Sequence, residues 1–172
     1  PSSAASDVYK RQIDYAAFTI AFPQLTMGPI LRYREWRGAL KERTITREDV
    51  FSGFELFVVG LCFKVLLADQ LAPLWASLER IGYEYLSTPL AWLGAVSYSL
   101  QLYFDFSGYS LMAMGLGQML ALPVPRNFDL PYTARSVSEF YRRWHITLGT
   151  WFRDYVYIPL GGSRNGNART VL

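Results

Sequence analysis

The sequence predicts an all-α, polytopic integral membrane protein with re-entrant and interfacial helices. Of its 172 residues 51% are hydrophobic and 16% aromatic, whereas only 18% are charged. Soluble domains average about 25% charged residues, and an excess of aromatic side chains is typical of the membrane–water boundary. The apolar residues also form long stretches separated by polar segments, and Val50–Leu71 and Leu90–Leu122 each have at least the length of a membrane crossing.

The basic residues lie in the gaps between the apolar stretches, and the net charge is +3. Basic loops beside apolar segments are typical of the cytoplasmic side of a membrane protein, whereas a nucleic-acid-binding protein carries its bases on a polar fold. We therefore predict membrane lipid as a partner, a location in a membrane with several crossings, and no nucleic acid.

The first half of the chain contains a linker, a broken apolar segment and one span. Residues 1–12 are polar and are predicted to be a non-native linker or assembly scar, so residues 13–172 form the membrane domain. Ile13–Leu31 contains two prolines and a glycine, which favour a broken or re-entrant segment. Arg32–Asp49 is predicted to be a basic connector. Thr46 and Asp49 have capping-box spacing, so a helix is predicted to begin there. It continues through the predicted span Val50–Leu71, and an outside loop follows at Ala72–Pro89.

Leu90–Leu122 is the longest apolar stretch, and we predict one crossing followed by a re-entrant or interfacial helix. Gly108, Gly115 and Gly117 are the candidate break points. Asp105 is the only formal charge in the stretch, and ionisable groups at membrane depth face protein or water and are functional by default. The alternative is a structural role, in which Asp105 caps a helix or pairs with an arginine such as Arg142 or Arg143.

His145 is the only histidine, and it lies in the densest polar cluster of the chain. Its side chain can exchange a proton near neutral pH, so His145 is either a catalytic group or a packed interfacial residue. Ser136 and Glu139 form a capping box that predicts a helix from Val137. On this helix three apolar residues would share one face by their i, i+4 spacing: Phe140, Trp144 and Leu148.

Several neighbouring side chains are candidates for supporting roles. Arg142 and Arg143 could anchor anionic lipid head groups, or hold a phosphate or carboxylate of a substrate. Asn127 and Asp129 could orient nearby groups or form a turn. The chain has no phosphate-binding loop, no nucleophile elbow, no zinc-binding motif and no dinucleotide-binding motif. We therefore predict no metal and no bound cofactor.

Five ordered motifs resemble the membrane-bound O-acyltransferase family, and most closely its alginate O-acetyltransferase branch. The likeness extends over essentially Ile13–Arg169. The motifs are Pro23–Ile30, Tyr98–Ser110, Asn127–Tyr132, Ser138–Leu148 and Trp151–Gly162.

The resemblance implies a polytopic enzyme that transfers an acyl group, here acetyl, to a hydroxyl of an exported polysaccharide such as alginate. The donor would be an acetyl thioester or an acetylated carrier, with accessory acetyl-transfer proteins as partners. The family has two important histidines, of which the first maps to His145. Asp105, Asn127, Arg142, Arg143 and Trp144 are the supporting site residues we infer. The reaction needs a base and correct positioning rather than a metal.

Three features depart from the family pattern. The second histidine, usually taken as the main base, belongs to a downstream Trp-His motif that the 172 residues do not contain, so we expect an internal fragment that is inactive alone. Leu111 stands where the branch commonly has an aspartate, and Tyr141 replaces the usual tryptophan. The alternative function, from a different class, is a membrane transporter or scaffold in which Asp105 and His145 line a polar pathway.

Overall fold

The structure is a computed structural model, and it describes residues 12–162. The linker predicted at residues 1–12 lies outside this range except for Gln12. All regular elements of the described part are helices, in agreement with the predicted all-α class. Helix α1 spans residues 12–19, and the later α-helices are α2 Tyr33–Glu42, α3 Arg47–Cys62, α4 Asp69–Ile81, α5 Thr88–Met119, α6 Val137–Arg143 and α7 Ile146–Phe152.

Helices α3 and α4 form one continuous helix of 35 residues, because a π-helical turn at Phe63–Ala68 joins them. By length and composition, this is the one helix of the described range that could cross a membrane. An 18-residue window of it has a mean hydropathy of 2.0 and is only 11% buried. The predicted capping box is confirmed, since Thr46 Oγ1 accepts from Asp49 N and Thr46 N donates to the Asp49 carboxylate. The outside loop predicted at Ala72–Pro89 is wrong up to Ile81, where the helix ends.

Helix α5 runs unbroken for 32 residues, about 48 Å, so the predicted division of this stretch is wrong. Two of its glycines, Gly108 and Gly115, serve for close packing against α3, whereas Gly117 lies against Val124 of the loop that follows α5. A Cβ atom on Gly60 would lie 2.5 Å from the carbonyl oxygen of Gly108, and one on Gly115 would lie 2.5 Å from that of Gly53. The missing side chains let the two backbones approach, which explains why glycine occurs here without a break.

The outward surfaces of α3, α4 and α5 are apolar and exposed. Phe51 is 71% exposed, Leu66 62% and Trp92 69%. Exposed apolar side chains of this size along two long helices require lipid or further protein around them. The core therefore lies along the α3–α5 contact. A second packed region lies beside the middle of α5, where Tyr103 and Phe106 contact Phe128 and the junction of α6 and α7.

The connector predicted at Arg32–Asp49 is mostly helical, because α2 occupies ten of its residues. Trp36 is the reason, since its ring is only 4% exposed and packs edge-to-face on Phe18 of α1, with a centroid distance of 5.6 Å. Arg37 pairs with Asp14 of the same helix α1 at 3.0 Å. One buried aromatic ring and one ion pair thus hold α2 against α1.

Candidate functional site

The helix predicted to run through His145 is interrupted at that residue. Helix α6 ends at Arg143, Trp144 is extended, and His145 adopts φ 47° and ψ 55° before α7 begins at Ile146. The left-handed conformation costs a non-glycine residue about 1–2 kcal/mol. Such a conformation persists only where the surroundings enforce it, and it marks positions whose geometry matters.

Two backbone hydrogen bonds from the Asn127–Asp129 segment hold this break. Ile146 N donates to Asn127 O at 2.9 Å, and Asp129 N donates to Arg143 O at 2.9 Å. The segment therefore contacts the last residue of α6 and the first residue of α7, and His145 lies between the two attachment points. The strained backbone of His145 is a consequence of this two-point attachment.

The side chain of Asn127 is fully buried, and its Oδ1 accepts three hydrogen bonds. The donors are Thr147 N at 3.2 Å, Thr147 Oγ1 at 2.9 Å and Nδ1 of His145 at 3.0 Å. A backbone N–H can only donate, so the amide atom facing it is the oxygen. An amide oxygen can only accept, so Nδ1 of His145 carries the proton.

The protonated Nδ1 leaves Nε2 of His145 with a free lone pair in the neutral ring. Burial lowers the pKa of His145 below its ordinary value, because desolvation disfavours the charged imidazolium. Phe106 contributes to this environment, since its ring lies edge-to-face on the imidazole with a centroid distance of 4.8 Å. The arrangement yields a neutral histidine in a fixed tautomer, which is the form that accepts a proton from a hydroxyl.

Thr147 joins this site to the upstream motif, and the sequence analysis did not single it out. Its Oγ1 accepts from Ile30 N at 3.1 Å while it donates to Asn127. Pro29 beside it is fully buried. Three motifs that are far apart in sequence therefore meet around one amide. The sequence feature that could have identified Thr147 is its position two residues after His145 in the same motif.

Trp144 lies in an aromatic cluster on the other side of the break. Its ring stacks on Phe140 at 5.6 Å and 15°, and meets Phe128 edge-to-face at 5.0 Å. Tyr103 and Tyr132 complete the cluster. Trp144 therefore holds the loop next to His145 in place. Its contacts within the described residues are aromatic packing contacts.

The two neighbouring arginines have different surroundings. Arg143 pairs with Glu139 at 2.7 Å and donates to Thr133 Oγ1 at 3.2 Å, so it braces the loop before α6. The hydrogen bond from Arg135 N, and secondly the contact with Arg143, lowers the pKa of Glu139. Arg142 donates to Ser138 and is exposed beside a groove that Arg153 also lines. Of the two arginines, Arg142 is the more exposed, and it forms no ion pair within the described residues.

The sequence suggested an ion pair between Asp105 and Arg142 or Arg143. The structure shows no such pair among the described residues. Asp105 forms an ion pair with Lys64 at 2.7 Å, and Lys64 also contacts Asp69 at 2.8 Å. Helix α5 brings Asp105 against the π-helical turn that carries Lys64, so the charge is neutralised between the two long helices. No hydrogen bond or ion pair within residues 12–162 connects Asp105 to His145. In the same range, no group of three His, Cys, Asp or Glu side chains could hold a metal ion.

Sequence comparison adds known relatives to this geometry. The chain is 46% identical over 158 residues to a probable alginate O-acetylase of Azotobacter vinelandii, covering 92% of this chain and 31% of that protein. It is 41% identical to a peptidoglycan O-acetyltransferase of Helicobacter pylori, covering 88% and 29% of the two chains. A teichoic acid D-alanyltransferase of Bacillus subtilis is 29% identical, with 82% and 36% covered.

The chain spans about a third of the length of these curated relatives. The profile of the membrane-bound O-acyltransferase family matches residues 2–172, which is nearly the whole chain. The chain belongs to the membrane-bound O-acyltransferase family.

Proposed function

We propose that this chain is the part of a membrane-embedded O-acyltransferase that carries the upstream histidine of its site. The observation that supports this most directly is the hydrogen bond from His145 Nδ1 to Asn127 Oδ1, which leaves Nε2 free to accept a proton. In transfer of an acyl group to an alcohol, the hydroxyl loses its proton as its oxygen attacks the acyl carbonyl, and the bond from that carbon to the donor's leaving group then breaks as the leaving group takes up the proton. A neutral imidazole promotes this step, and a second histidine from the rest of the enzyme would act with it.

The proposed substrates follow from the relatives and from the chemistry. The acceptor is a hydroxyl of an exported polysaccharide such as alginate, and the transferred group is acetyl. The donor is an acetyl thioester or an acetylated carrier, which is a substrate rather than a bound cofactor, and accessory proteins deliver or receive the acetyl group. Relatives named for alginate, peptidoglycan and teichoic acid support a cell-surface glycopolymer as the acceptor class.

The proposed location is the bacterial cytoplasmic membrane, with several crossings in the complete enzyme. The apolar surface of Arg47–Ile81 and the exposed apolar residues of α5 support this placement. Helix α5 is about 48 Å long, which exceeds the roughly 30 Å of a bilayer core. This excess length lets an end of the helix extend to the interface, whereas His145 lies beside Phe106, which is in the middle of the helix.

The transporter alternative requires a polar pathway shared by Asp105 and His145. The ion pair of Asp105 with Lys64 and the hydrogen bond of His145 to Asn127 instead give the two residues separate partners. The acyl-transfer proposal uses His145 with its observed partner and leaves Asp105 a structural role between the long helices.

The test is the acetyl content of the polysaccharide exported by cells that express the full-length enzyme carrying this segment. His145→Asn is the informative variant, because asparagine tolerates the left-handed backbone but cannot act as a base. We expect acetylation to fall about a hundredfold while the amount of protein in the membrane stays unchanged. Tyr141→Phe, at an exposed position of α6, is the matched control and should leave acetylation unchanged. Wild-type acetylation by His145→Asn would reject the role proposed for His145.

A further inference from the structure

Thr147 supplies two of the three hydrogen bonds that Oδ1 of Asn127 accepts. The backbone N of Thr147 donates at 3.2 Å and its hydroxyl donates at 2.9 Å, while Nδ1 of His145 is the third donor at 3.0 Å. The hydroxyl is therefore the closer of the two Thr147 donors. It is also the one that a side-chain substitution can remove.

The direction of the hydroxyl bond depends on Ile30 of the upstream segment. Ile30 N donates to Oγ1 of Thr147 at 3.1 Å, and Thr147 is only 8% exposed. A hydroxyl has one hydrogen and two acceptor lone pairs. Because the N–H of Ile30 uses a lone pair, the hydrogen of the hydroxyl remains for Oδ1 of Asn127. The bonds thus run in one direction, from Ile30 through Thr147 to Asn127.

The orientation of the Asn127 amide determines the tautomer of His145. In the observed orientation Oδ1 accepts from the protonated Nδ1. A half-turn of the amide would place its NH₂ group against Nδ1 and would require the ring proton on Nε2. The same half-turn would place the NH₂ group against Thr147 N and would leave the Thr147 hydroxyl hydrogen without its acceptor. Thr147 therefore disfavours the orientation in which Nε2 loses its free lone pair.

We propose that Thr147 is a positioning residue of the site, whose hydroxyl, oriented by Ile30 N, fixes the Asn127 amide and through it the Nδ1 proton of His145. The upstream segment thereby takes part in selecting the tautomer, although Ile30 lies 117 residues before Thr147. The consequence for acetyl transfer rests on the proposed function, whereas the tautomer is a property that is measured without it.

Three substitutions separate the hydroxyl from the rest of the Thr147 side chain. Thr147→Val keeps the branched shape and removes the hydroxyl, whereas Thr147→Ser keeps the hydroxyl and removes the methyl group. Thr147→Ala differs from Thr147→Ser by one oxygen atom, and it takes the place of Thr147→Val if the valine variant does not accumulate in the membrane. Thr150→Val is the matched control, because Thr150 lies on the same helix and its hydroxyl forms no hydrogen bond within the described residues.

The measurements use the full-length enzyme that carries this segment. Ring-¹⁵N histidine gives NMR signals in detergent, and those of His145 are the ones that disappear in His145→Asn. We expect one tautomer, with the proton on Nδ1, in the wild type, Thr147→Ser and Thr150→Val, and both tautomers in Thr147→Val. Acetylation of the exported polysaccharide should fall about 2- to 12-fold in Thr147→Val, the loss expected for one hydrogen bond. It should stay at the wild-type level in Thr147→Ser and Thr150→Val.

The two readouts distinguish failure of this role from failure of the proposed function. A single Nδ1-protonated tautomer in Thr147→Val, or a second tautomer in Thr147→Ser, would overturn the role of the hydroxyl. Wild-type acetylation by Thr147→Val would also overturn it if His145→Asn has lost acetylation. Wild-type acetylation by both variants would reject the proposed function, and the His145 signals alone would then decide the role of Thr147.

Discussion

Nδ1 of His145 lies 3.0 Å from Oδ1 of Asn127, and this oxygen also accepts both hydrogen bonds of Thr147. The contact orients the ring and selects its tautomer, which are separate requirements for a group that must accept a proton. Because Asn127 is neutral, it orients the ring and selects the tautomer without stabilising the charged imidazolium form. Burial can therefore hold the pKa of His145 below its ordinary value.

Replacing Asn127 by aspartate tests the importance of this neutrality. A carboxylate at the same place keeps Nδ1 protonated but favours the imidazolium, so Asn127→Asp should raise the pKa of His145. Titration of the His145 ring signals by NMR would detect the change. Asn127→Leu is the companion variant, because it removes the acceptor and should mix the two tautomers. An unchanged His145 pKa in Asn127→Asp would mean that the contact is absent in solution.

Removing the aromatic ring on His145 should have a related effect with a different cause. Phe106→Ala lets water reach the imidazole, and the pKa of His145 should rise toward its ordinary value of about 6.5.

The lowered pKa of His145 in the wild type means that, below about pH 6.5, the unfolded chain binds more protons than the folded chain. Stability linked to His145 is therefore complete above that pH and is lost as the pH falls through the folded pKa.

Activity that depends on neutral His145 should decline at low pH, and this decline should occur at higher pH in Phe106→Ala. The measurement is the pH profile of acetyl transfer by the full-length enzyme. Phe104→Ala is the control, since Phe104 packs against Phe63 with a centroid distance of 5.2 Å. Equal shifts in both variants would indicate general loosening of α5 rather than hydration of the imidazole.

The sequence could predict the helical class and the capping residues, because each depends on local spacing or on residue type. Thr46 with Asp49 is an example, since its two hydrogen bonds span only three residues. The break at His145 could not be predicted in this way. It depends on backbone hydrogen bonds to Asn127 and Asp129, which lie 14 to 19 residues earlier in the chain.

Alanine at Gly60 should destabilise the α3–α5 contact. Its Cβ atom would lie 2.5 Å from the carbonyl oxygen of Gly108, so one backbone must move. Overpacking of this kind costs about 1–3 kcal/mol, and thermal unfolding in detergent would measure it. Gly38→Ala is the matched control, because nothing lies within 4 Å of its Cβ position in α2. Gly38→Ala should raise the free energy of unfolding by about 0.5–1 kcal/mol. If Gly60→Ala also raised it, or both variants lowered it, the packing described here would be contradicted.

Lys64 and Asp105 should behave as a coupled pair. Lys64→Met leaves Asp105 without its cation between two apolar helices, and Asp105→Leu leaves Lys64 with Asp69 alone. We expect the double variant to be more stable than the two single losses added together, with a coupling energy of about 0.5–3 kcal/mol. A double-mutant cycle of thermal unfolding in detergent would measure it. Additive losses would show that the ion pair has no structural importance.

The partner of Asp105 illustrates a second limit of sequence reasoning. The sequence indicates Arg142 and Arg143 as ion-pair partners of Asp105, because they are basic residues of a nearby motif. The observed partner, Lys64, lies 41 residues earlier on the π-helical turn that follows α3, and it reaches Asp105 because glycines let α3 and α5 pack closely. A helix-packing register determines this pairing, and no local pattern encodes it.

The tautomer of His145 is the most direct test of the proton-acceptor role. The chain contains one histidine, so ring-¹⁵N labelling of histidine gives NMR signals from His145 alone. At pH 7.5 we expect a single neutral tautomer with the proton on Nδ1 and a free lone pair on Nε2. A proton on Nε2, or rapid exchange between both tautomers, would contradict the role that we assign to Asn127 and His145.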